Sequence, residues 1–570
     1  MKHLLIAAIL TLLFQPLFAQ DKPLPPPRDF KPDAKDTRDV LPALTLPEYV
    51  ITGSDMISFT EDRKSGAGEP DSKDFTSRAG RGNREQRFFD TSPTRMPLRK
   101  PDLTGSEEVL RLRAGLGSFS TPLLEAWYAD RYRLGDAAAH MAYERSNGHV
   151  PHADYSRFNF DFAGGTYLPR TLHPIFASSR IQGDVQVEAQ EYGLYADKLI
   201  RYDPALDFRR NAFGFAMGAD LISRRNTLLD HDLRISFSHF AIDEALAVRD
   251  TLPLDEYQQV ENRFALEGNA KTSIAGQSVL FGLLMHVNDL SKSSAEPTRP
   301  FFMNAAAKSV FSLGERLQLQ TGATIFLYRG SDHASQFRVY PSLLLRHLTS
   351  ADWSLYAGWL PEVREQTLRG FLRQNPYLML ASAVRHTDLP LRFEAGAEFD
   401  NRGQSSARFC VEYLSTLSWP RFSLLPDPVM QQWEMRYDGR ASIFNIHADV
   451  AHAFSNSTRI QVETVLRTSS LGEDQGRVPY LPDCEARVLL HHDFPFPLSV
   501  QTTLQLVGEQ EADGGAMPAW MLLGIDLEYR VVKNFGVFLS LNNLLDQSWQ
   551  RWPGYHERPF FMMGGVTAHF

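Results

Sequence analysis

Adjacent histidines and a histidine beside an aspartate are the side chains in this sequence best suited to metal or acid–base chemistry. The pairs are His491-His492 and His231-Asp232, and each lies in a run that predicts a β-strand. Neighbouring side chains on a strand point to opposite faces, so the two members of a pair cannot bind one metal ion together. We interpret His491 and His492 as one inward residue and one residue at the rim.

No other pattern in the chain predicts catalysis. No serine stands out as a nucleophile with a histidine and an orienting polar group. Three glycine pairs lack the strand-to-helix context of a phosphate-binding loop, and we interpret them as bulges or turns. They are Gly164-Gly165, Gly514-Gly515 and Gly564-Gly565. The sequence therefore predicts that the protein is not an enzyme and has no catalytic residue, cofactor or metal site.

Charge and cysteine content restrict the partners and the chemistry further. The net charge of −9 argues against a nucleic-acid partner. Two cysteines, Cys410 and Cys484, are too few for a disulfide framework. They form either one bridge in an oxidising compartment, if the fold brings them together, or two unpaired thiols.

The first 19 residues have the layout of a secretory signal peptide. Lys2 and His3 precede the apolar run Leu4 to Phe14, and Leu17-Phe18-Ala19 provides a cleavage site. The rest of the chain has no apolar stretch near the roughly 18 residues that a transmembrane helix needs. With a mean hydropathy of −0.29 and 22% charged residues, a membrane-spanning form of this chain must be a closed β-barrel.

From residue 107 onward, runs of alternating polarity recur, separated by turns. In the clearest run, residues 521–531, alternate apolar side chains oppose Asp526, Glu528 and Arg530. The spacing predicts an all-β fold, a transmembrane antiparallel barrel of about 22 strands over residues 107–570, with a charged inner face and an apolar outer face. The last strand ends at Phe570, a terminal aromatic residue typical of a barrel-assembly signal.

Two further expectations concern the edges of the barrel. Aromatic clusters near the ends of runs predict an interfacial girdle. The clusters are Trp127, Tyr128 and Tyr132; Trp353, Tyr356 and Trp359; and Trp549 and Trp552. The outer loops are expected to be of modest length, the longest at 361–373, 469–483, 510–518 and 547–558.

Residues 20–106 differ in composition from the barrel. Prolines crowd the first part, charged residues fill the second, and few aliphatic residues are available for burial. Such a segment cannot offset its ordering entropy, so we predict a leader that is disordered or ordered only against a partner. One β-prone island, residues 46–53, interrupts it.

The end of the sequence resembles the C-terminal end of TonB-dependent receptors. The resemblance is carried by Leu541-Asn542-Asn543-Leu544-Leu545-Asp546, Trp552-Pro553-Gly554-Tyr555, Arg558-Pro559 and the final strand. It implies a barrel in the cell outer membrane, in contact with its lipid and with the barrel-assembly machinery, that takes part in uptake. It also implies that the leader lies in the periplasm or inside the barrel lumen.

A short segment of the leader resembles a TonB box, the peptide that such receptors offer to the energising protein TonB. It consists of Glu48, Tyr49, Val50, Ile51 and Thr52. Recognition of such a box works by β-augmentation, in which an extended peptide pairs with an exposed sheet edge. The resemblance therefore implies TonB as a partner of these five residues.

The sequence departs from the family between the box and the barrel. TonB-dependent receptors carry a folded plug domain there, whereas here only the segment from Ser54 to about Ser106 is available, without alternating strands. We therefore expect a barrel that lacks the usual plug. A wide barrel with nothing inside would leak, so either a protein in trans or the leader itself should fill it. In the leader, the cations that could pair with the inner wall are Arg78, Arg81, Arg84, Arg87, Arg95 and Arg99.

Three functions remain open at this point. The first is TonB-dependent uptake of a substrate that the sequence does not identify. The second is a barrel without a plug that serves as a scaffold or partner in an envelope complex. The third is a passive channel of porin type, which fits the charged lumen but not the strand number or the box-like leader.

Overall fold

A computed structural model describes the barrel part of the chain. The described residues are 110–132, 135–169, 175–176, 179–195, 206–223, 229–248, 255–274, 277–292, 295–332, 334–401, 404–425, 431–437, 439–472 and 476–570. The predicted signal peptide (1–19), the leader (20–106) and its box-like segment lie outside these residues.

Twenty-two antiparallel strands form a closed barrel, which confirms the predicted fold class and strand number. In chain order, the wall consists of β1 (Leu110–Gly117), β2 (Thr121–Tyr132), β3 (Gly135–Ser146), β4 (Tyr155–Tyr167), β5 (Arg180–Gly193), β6 (Leu206–Ile222), β7 (Asp230–Val248), β8 (Asp255–Ile274), β9 (Gln277–Lys292), β11 (Phe301–Ser312), β12 (Leu317–Arg329), β13 (Ser335–Leu348), β14 (Trp353–Trp359), β17 (Leu391–Asn401), β18 (Ser405–Thr416), β21 (Ala441–Ser455), β22 (Thr458–Leu471), β23 (Cys484–Asp493), β24 (Leu498–Val507), β27 (Trp520–Val532), β28 (Phe535–Asn542) and β31 (Phe561–His569).

Shorter elements lie in the connections between wall strands. They are β10 (Ala295–Thr298), β15 (Glu362–Arg364), β16 (Thr387–Leu389), β19 (Arg421–Leu424), β20 (Trp433–Arg436), β25 (Gln510–Ala512), β26 (Gly515–Met517), β29 (Gln550–Trp552), β30 (Tyr555–His556), the 3-10 turn Ser118–Ser120 and the helix α1 (Leu368–Gln374). β15 pairs with β16, β19 with β20, β25 with β26 and β29 with β30. No helix in the described part of the chain is long and apolar enough to cross a membrane.

The ring closes where the first strand meets the last. β1 pairs with β31, and Leu110 and Phe570 exchange backbone hydrogen bonds of 3.0 and 2.8 Å. We call this rim the terminus end. The opposite rim, the loop end, carries the long connections 360–390, 417–440, 472–483, 508–519 and 543–560.

Alternation places apolar side chains outside and polar side chains inside, as predicted. Outward residues such as Phe213, Ile446 and Val566 are exposed, which suits the apolar band of a lipid-facing wall. Inward residues pair with one another across strands: Arg234 lies 2.8 Å from Asp184 and 2.7 Å from Asp220. Around Arg234, acids and bases of neighbouring strands thus pair within the inner wall.

The predicted aromatic girdle is wrong for about half of its residues. Trp127 and Tyr356 are buried and point inward, because they have the opposite strand parity to their outward neighbours. Trp549 and Trp552 are also buried, in the last connection of the loop end. Large aromatics exposed near the terminus end include Trp353, Phe454, Phe494, Phe496, Phe535 and Phe570.

The loop prediction needs two corrections. The long loop predicted at 361–373 in fact runs from Leu360 to Pro390. The connection 417–440 was not predicted as a long loop. The connection 417–440 contains the hairpin β19–β20, whose alternation resembles that of wall strands in the sequence, and the connection 360–390 contains the strand pair β15–β16.

The structure also shows where the three glycine pairs and the two cysteines lie. Gly514 lies in the turn between β25 and β26, as expected, and Gly515 begins β26. The expectation of a bulge or turn is wrong for the other two pairs, which lie in regularly paired stretches of β4 and β31. Cys410 and Cys484 are free thiols on β18 and β23.

Candidate functional site at the loop end of the barrel

The connections of the loop end pack into one hydrophobic core together with the inner wall. We call this cluster the loop core. Its buried members are Leu194, Phe208, Phe240, Ile242, Leu290, Leu368, Phe371, Leu372, Tyr377, Leu378, Leu380, Val384, Trp433, Met435, Tyr480, Ala512, Met517, Trp552 and Tyr555. These residues come from the five long connections, from three wall strands and, with Leu194, from the connection that follows β5, so the loop core joins the loops to the wall.

Aromatic contacts dominate the centre of the loop core. The rings of Tyr377 and Tyr555 stack with centroids 3.4 Å apart and planes 15° apart. Trp552 lies 5.1 Å from Trp433 and 4.8 Å from Tyr480. These rings stabilise the loop core chiefly by burying large apolar surfaces.

The motif that resembles TonB-dependent receptors shapes the last of these connections. Asn543 has φ of 49°, and its side chain donates to the carbonyls of Gln547 (2.9 Å) and Arg558 (3.3 Å) and accepts from the Gln547 N–H (3.0 Å). Asparagine tolerates this left-handed conformation better than most residues. The Asp546 carboxylate accepts from the Phe560 N–H at 2.8 Å, which closes the loop onto the final strand.

The turn of the β29–β30 hairpin then delivers Tyr555 to the core. Gly554 has φ of 83°, and a Cβ there would approach Gln431 Oε1 to 2.6 Å. The backbone conformation therefore favours glycine, whereas the contact with the flexible Gln431 side chain could be relieved by a small shift of that side chain. Tyr555 is fully buried, and its hydroxyl donates to the carbonyl of Gln431 at 3.0 Å.

The connection 360–390, which we call the strap, leaves the wall between β14 and β17 and reaches distant strands. Its helix α1 begins at Leu368, and Thr367 caps it by accepting from the Gly370 N–H at 3.0 Å. The Glu261 carboxylate of β8 accepts from the N–H groups of the first two helix residues, Leu368 (3.3 Å) and Arg369 (3.0 Å). A helix start with free N–H groups is stabilised by such an acid.

Two further carboxylates of the wall and the strap continue this attachment. Glu188 of β5 binds Arg369 at 2.7 Å and Arg373 at 3.3 Å. Glu365 of the strap lies 2.5 Å from both Arg263 and His286 of the wall. Burial by itself would raise the pKa of Glu365, but the two neighbouring cations hold it below its ordinary value.

A buried arginine completes the attachment. Arg210 of β6 binds Glu244 of β7 at 2.5 Å and also donates to the carbonyl of Pro376 in the strap. Gln432, from the connection 417–440, donates to the same Glu244 at 3.2 Å. A fully buried guanidinium is stable only when it is paired and hydrogen-bonded in this way.

Burial changes the acid–base properties of the loop end. It raises the pKa of Tyr480 to about 12 and lifts the pKa of Tyr377 and Tyr555 well above the usual value. Burial also raises the pKa of the Glu557 carboxyl, while Arg551 and Arg558 partly oppose the shift. The phenols of the core therefore stay neutral at physiological pH.

The structure separates the residues that the sequence singled out. His491 pairs with Asp493 at 3.0 Å, whereas His492 faces the other side and contacts Thr458 at 2.8 Å. Across the described ranges, no group of three or more His, Cys, Asp or Glu side chains is arranged to hold a metal ion. Phe570 is exposed at the terminus end, with its ring 6.4 Å from that of Phe535. Glu48 to Thr52 lie outside the described residues.

Comparison with known proteins gives matches only among solved structures. No family model matches the chain, and no curated protein matches it. The FrpB iron transporter from Neisseria meningitidis (F3-3 variant) aligns over 81% of each chain with a TM-score of 0.61 and 10% identity. The copper transporter OprC aligns over 81% of this chain and 80% of its own with a TM-score of 0.58 and 13% identity.

A third similar structure belongs to the same class. The ferric yersiniabactin uptake receptor FyuA from Yersinia pestis aligns over 81% of this chain and 80% of its own, with a TM-score of 0.59 and 11% identity. The chain has the fold of a TonB-dependent receptor barrel. These similar proteins are transporters or receptors, not enzymes.

Sequence reasoning missed the strap and the loop core altogether. Phe240 and Ile242 could have indicated a covered lumen, because both occupy inward positions of β7 that a water-filled lumen would leave polar. The ion pairs that attach the strap could not be predicted from the sequence, since Glu188 and Arg369 are 181 positions apart.

Proposed function

We propose that this protein is an outer-membrane barrel that takes up a substrate by the mechanism of TonB-dependent receptors. The observation that carries the proposal is the closed ring of 22 strands, aligned over four fifths of its length with transporters and uptake receptors. The substrate is not identified by any residue of the loop end. Iron, copper and ferric yersiniabactin are the cargoes of the similar proteins only.

The proposed energy input is TonB, through Glu48, Tyr49, Val50, Ile51 and Thr52. The leader joins the barrel at the terminus end, where β1 begins at Leu110. In this arrangement the terminus end faces the periplasm and the loop end faces outward. The leader then lies in the periplasm or inside the lumen, and Phe570 acts as the signal for the barrel-assembly machinery.

Binding of the leader to TonB tests this proposal directly. A peptide covering Pro42 to Ser54 should be captured by the periplasmic domain of TonB, and the Val50→Pro peptide should not. Proline removes an N–H donor and blocks strand pairing, whereas Val50→Thr keeps a β-branched residue and serves as the matched control. If the wild-type peptide is not captured, or if Val50→Pro binds equally well, TonB coupling through this box is refuted.

The two alternatives make different predictions. A scaffold or plug-in-trans arrangement requires a second protein that co-purifies at stoichiometric yield with the full-length barrel. A passive channel requires an open mouth, and the loop core argues against it, because side chains from five connections pack together there. Co-purification of a partner without any TonB binding would favour the scaffold function.

A further inference from the structure

The inner wall changes character towards the loop end. On β7, the inward residues Ser236 and Ser238 are followed by Phe240 and Ile242, which are buried in the loop core. On β9, Leu290 is likewise inward and almost completely buried. Inward apolar side chains would be costly in a water-filled lumen, at roughly 25 cal/mol for each Å² exposed. The wall is therefore built to be covered at this level.

The strap reaches a part of the wall far from its own strands. It leaves the ring at β14, yet Glu188, its partner in the wall, lies on β5, and seven wall strands separate β5 from β14. Between these points the strap also contacts β6, β8 and β9 through Arg210, Glu261 and His286. A loop held at both sides in this way must cross the mouth of the barrel.

The other long connections close the space beside the strap. Leu378 of the strap forms a parallel bridge with Trp433, and the Met379 N–H donates to the Trp433 carbonyl at 2.7 Å. Tyr377 of the strap stacks on Tyr555 of the last connection. Backbone pairing and ring stacking thus join three connections into a single layer.

We propose that the strap and the loop core form the permeability seal of this barrel, independently of the leader. The seal blocks ions and small hydrophilic solutes at the loop end. Its closed position is set by charges, since Glu188 holds Arg369 and Arg373 while Glu261 holds the start of α1. The inference goes beyond uptake, because a seal is required whether or not TonB acts on the protein.

Conductance in planar lipid bilayers tests the seal, with the purified full-length barrel as the reference. In one variant, residues 366–385 of the strap are replaced by a short Gly–Ser linker. In a second, residues 20–106 are deleted. Folding of each is verified by the heat-dependent gel migration of closed barrels. We expect the strap variant to conduct at least about tenfold more than the wild type, as a wide unfilled barrel does, and the leader deletion to stay close to the wild type.

A charge swap tests the anchor itself without shortening the loop. Arg369→Glu with Arg373→Glu places like charges against Glu188 and should raise the conductance, and adding Glu188→Arg should lower it again. Arg477→Glu is the control, because Arg477 pairs with Asp483 in another connection of the loop end. A large pore on leader deletion alone, a folded strap variant that stays closed, or a charge swap without rescue would each overturn the proposal. The TonB peptide assay is independent of all three.

Discussion

Asn543 offers the sharpest test of how the receptor-like motif builds the loop end. Asn543→Ala removes three side-chain hydrogen bonds to the backbone of its own loop, which contribute about 1 kcal/mol each. It also places alanine at a φ of 49°, at a further cost of about 1 kcal/mol. We expect the free energy of unfolding to fall by about 4 kcal/mol in total.

The neighbouring asparagine provides the control for this experiment. Asn542 lies in β28 with the extended pairing of the wall, opposite Phe561, so Asn542→Ala should cost less than about 1 kcal/mol. Asn543→Asp keeps the acceptor and the tolerance of left-handed φ and should fall between the two, at about 2 kcal/mol. Urea unfolding of the lipid-reconstituted barrel, followed by gel migration and tryptophan fluorescence, measures all three. Equal stability of Asn543→Ala and Asn542→Ala would refute the role assigned to Asn543.

Three further predictions concern the terminus, the loop core and its acid–base behaviour. Deletion of Phe570 should lower the amount of assembled barrel in outer-membrane fractions, whereas Phe570→Tyr should not, and equal amounts for both would contradict the assembly role. Trp433→Ala should cost about 3–5 kcal/mol of local stability, visible as faster proteolysis of the loops while the wall keeps its gel migration; unchanged proteolysis would count against a cooperative loop core. Because the pKa of Glu557 is raised in the folded protein, the charged carboxylate destabilises the fold. The stability that the neutral carboxyl contributes is complete below the ordinary carboxyl pKa and is lost as the pH rises through the pKa of the folded state. Glu557→Gln should therefore stabilise the loop end at neutral pH but not in acid, as measured by urea midpoints across pH, and a constant difference would refute the burial argument.

The wall could be predicted from the sequence because its physical cause is local. A period of two in polarity is visible within any ten residues, as in Met521 to Val531, and the spacing of such runs gave the strand number. The loop conformation around Asn543 is also determined by residues close in the sequence, which is why a short motif could predict this loop. These features depend on neighbours in the sequence and need no knowledge of distant contacts.

The loop end was missed because its causes are not local. Hairpins such as β19–β20 alternate like wall strands but end in the loop core. Trp549 and Trp552 have the composition of an interfacial girdle, yet they are buried, since an amphipathic ring suits a membrane interface and a protein core equally well. The charges that hold the strap pair only after the wall has closed.

One pattern in the wall nevertheless distinguishes a covered lumen from a wet one. The inward residues of β7 are serines at positions 236 and 238 and then Phe240 and Ile242, which lie nearer the loop end. A wet wall gains nothing from apolar side chains there, so the change implies a covering element at that depth. Because the loop core supplies that cover from the same chain, the position of the seal follows from the wall, and exchanging Phe240 and Ile242 for serine should weaken it without altering the ring.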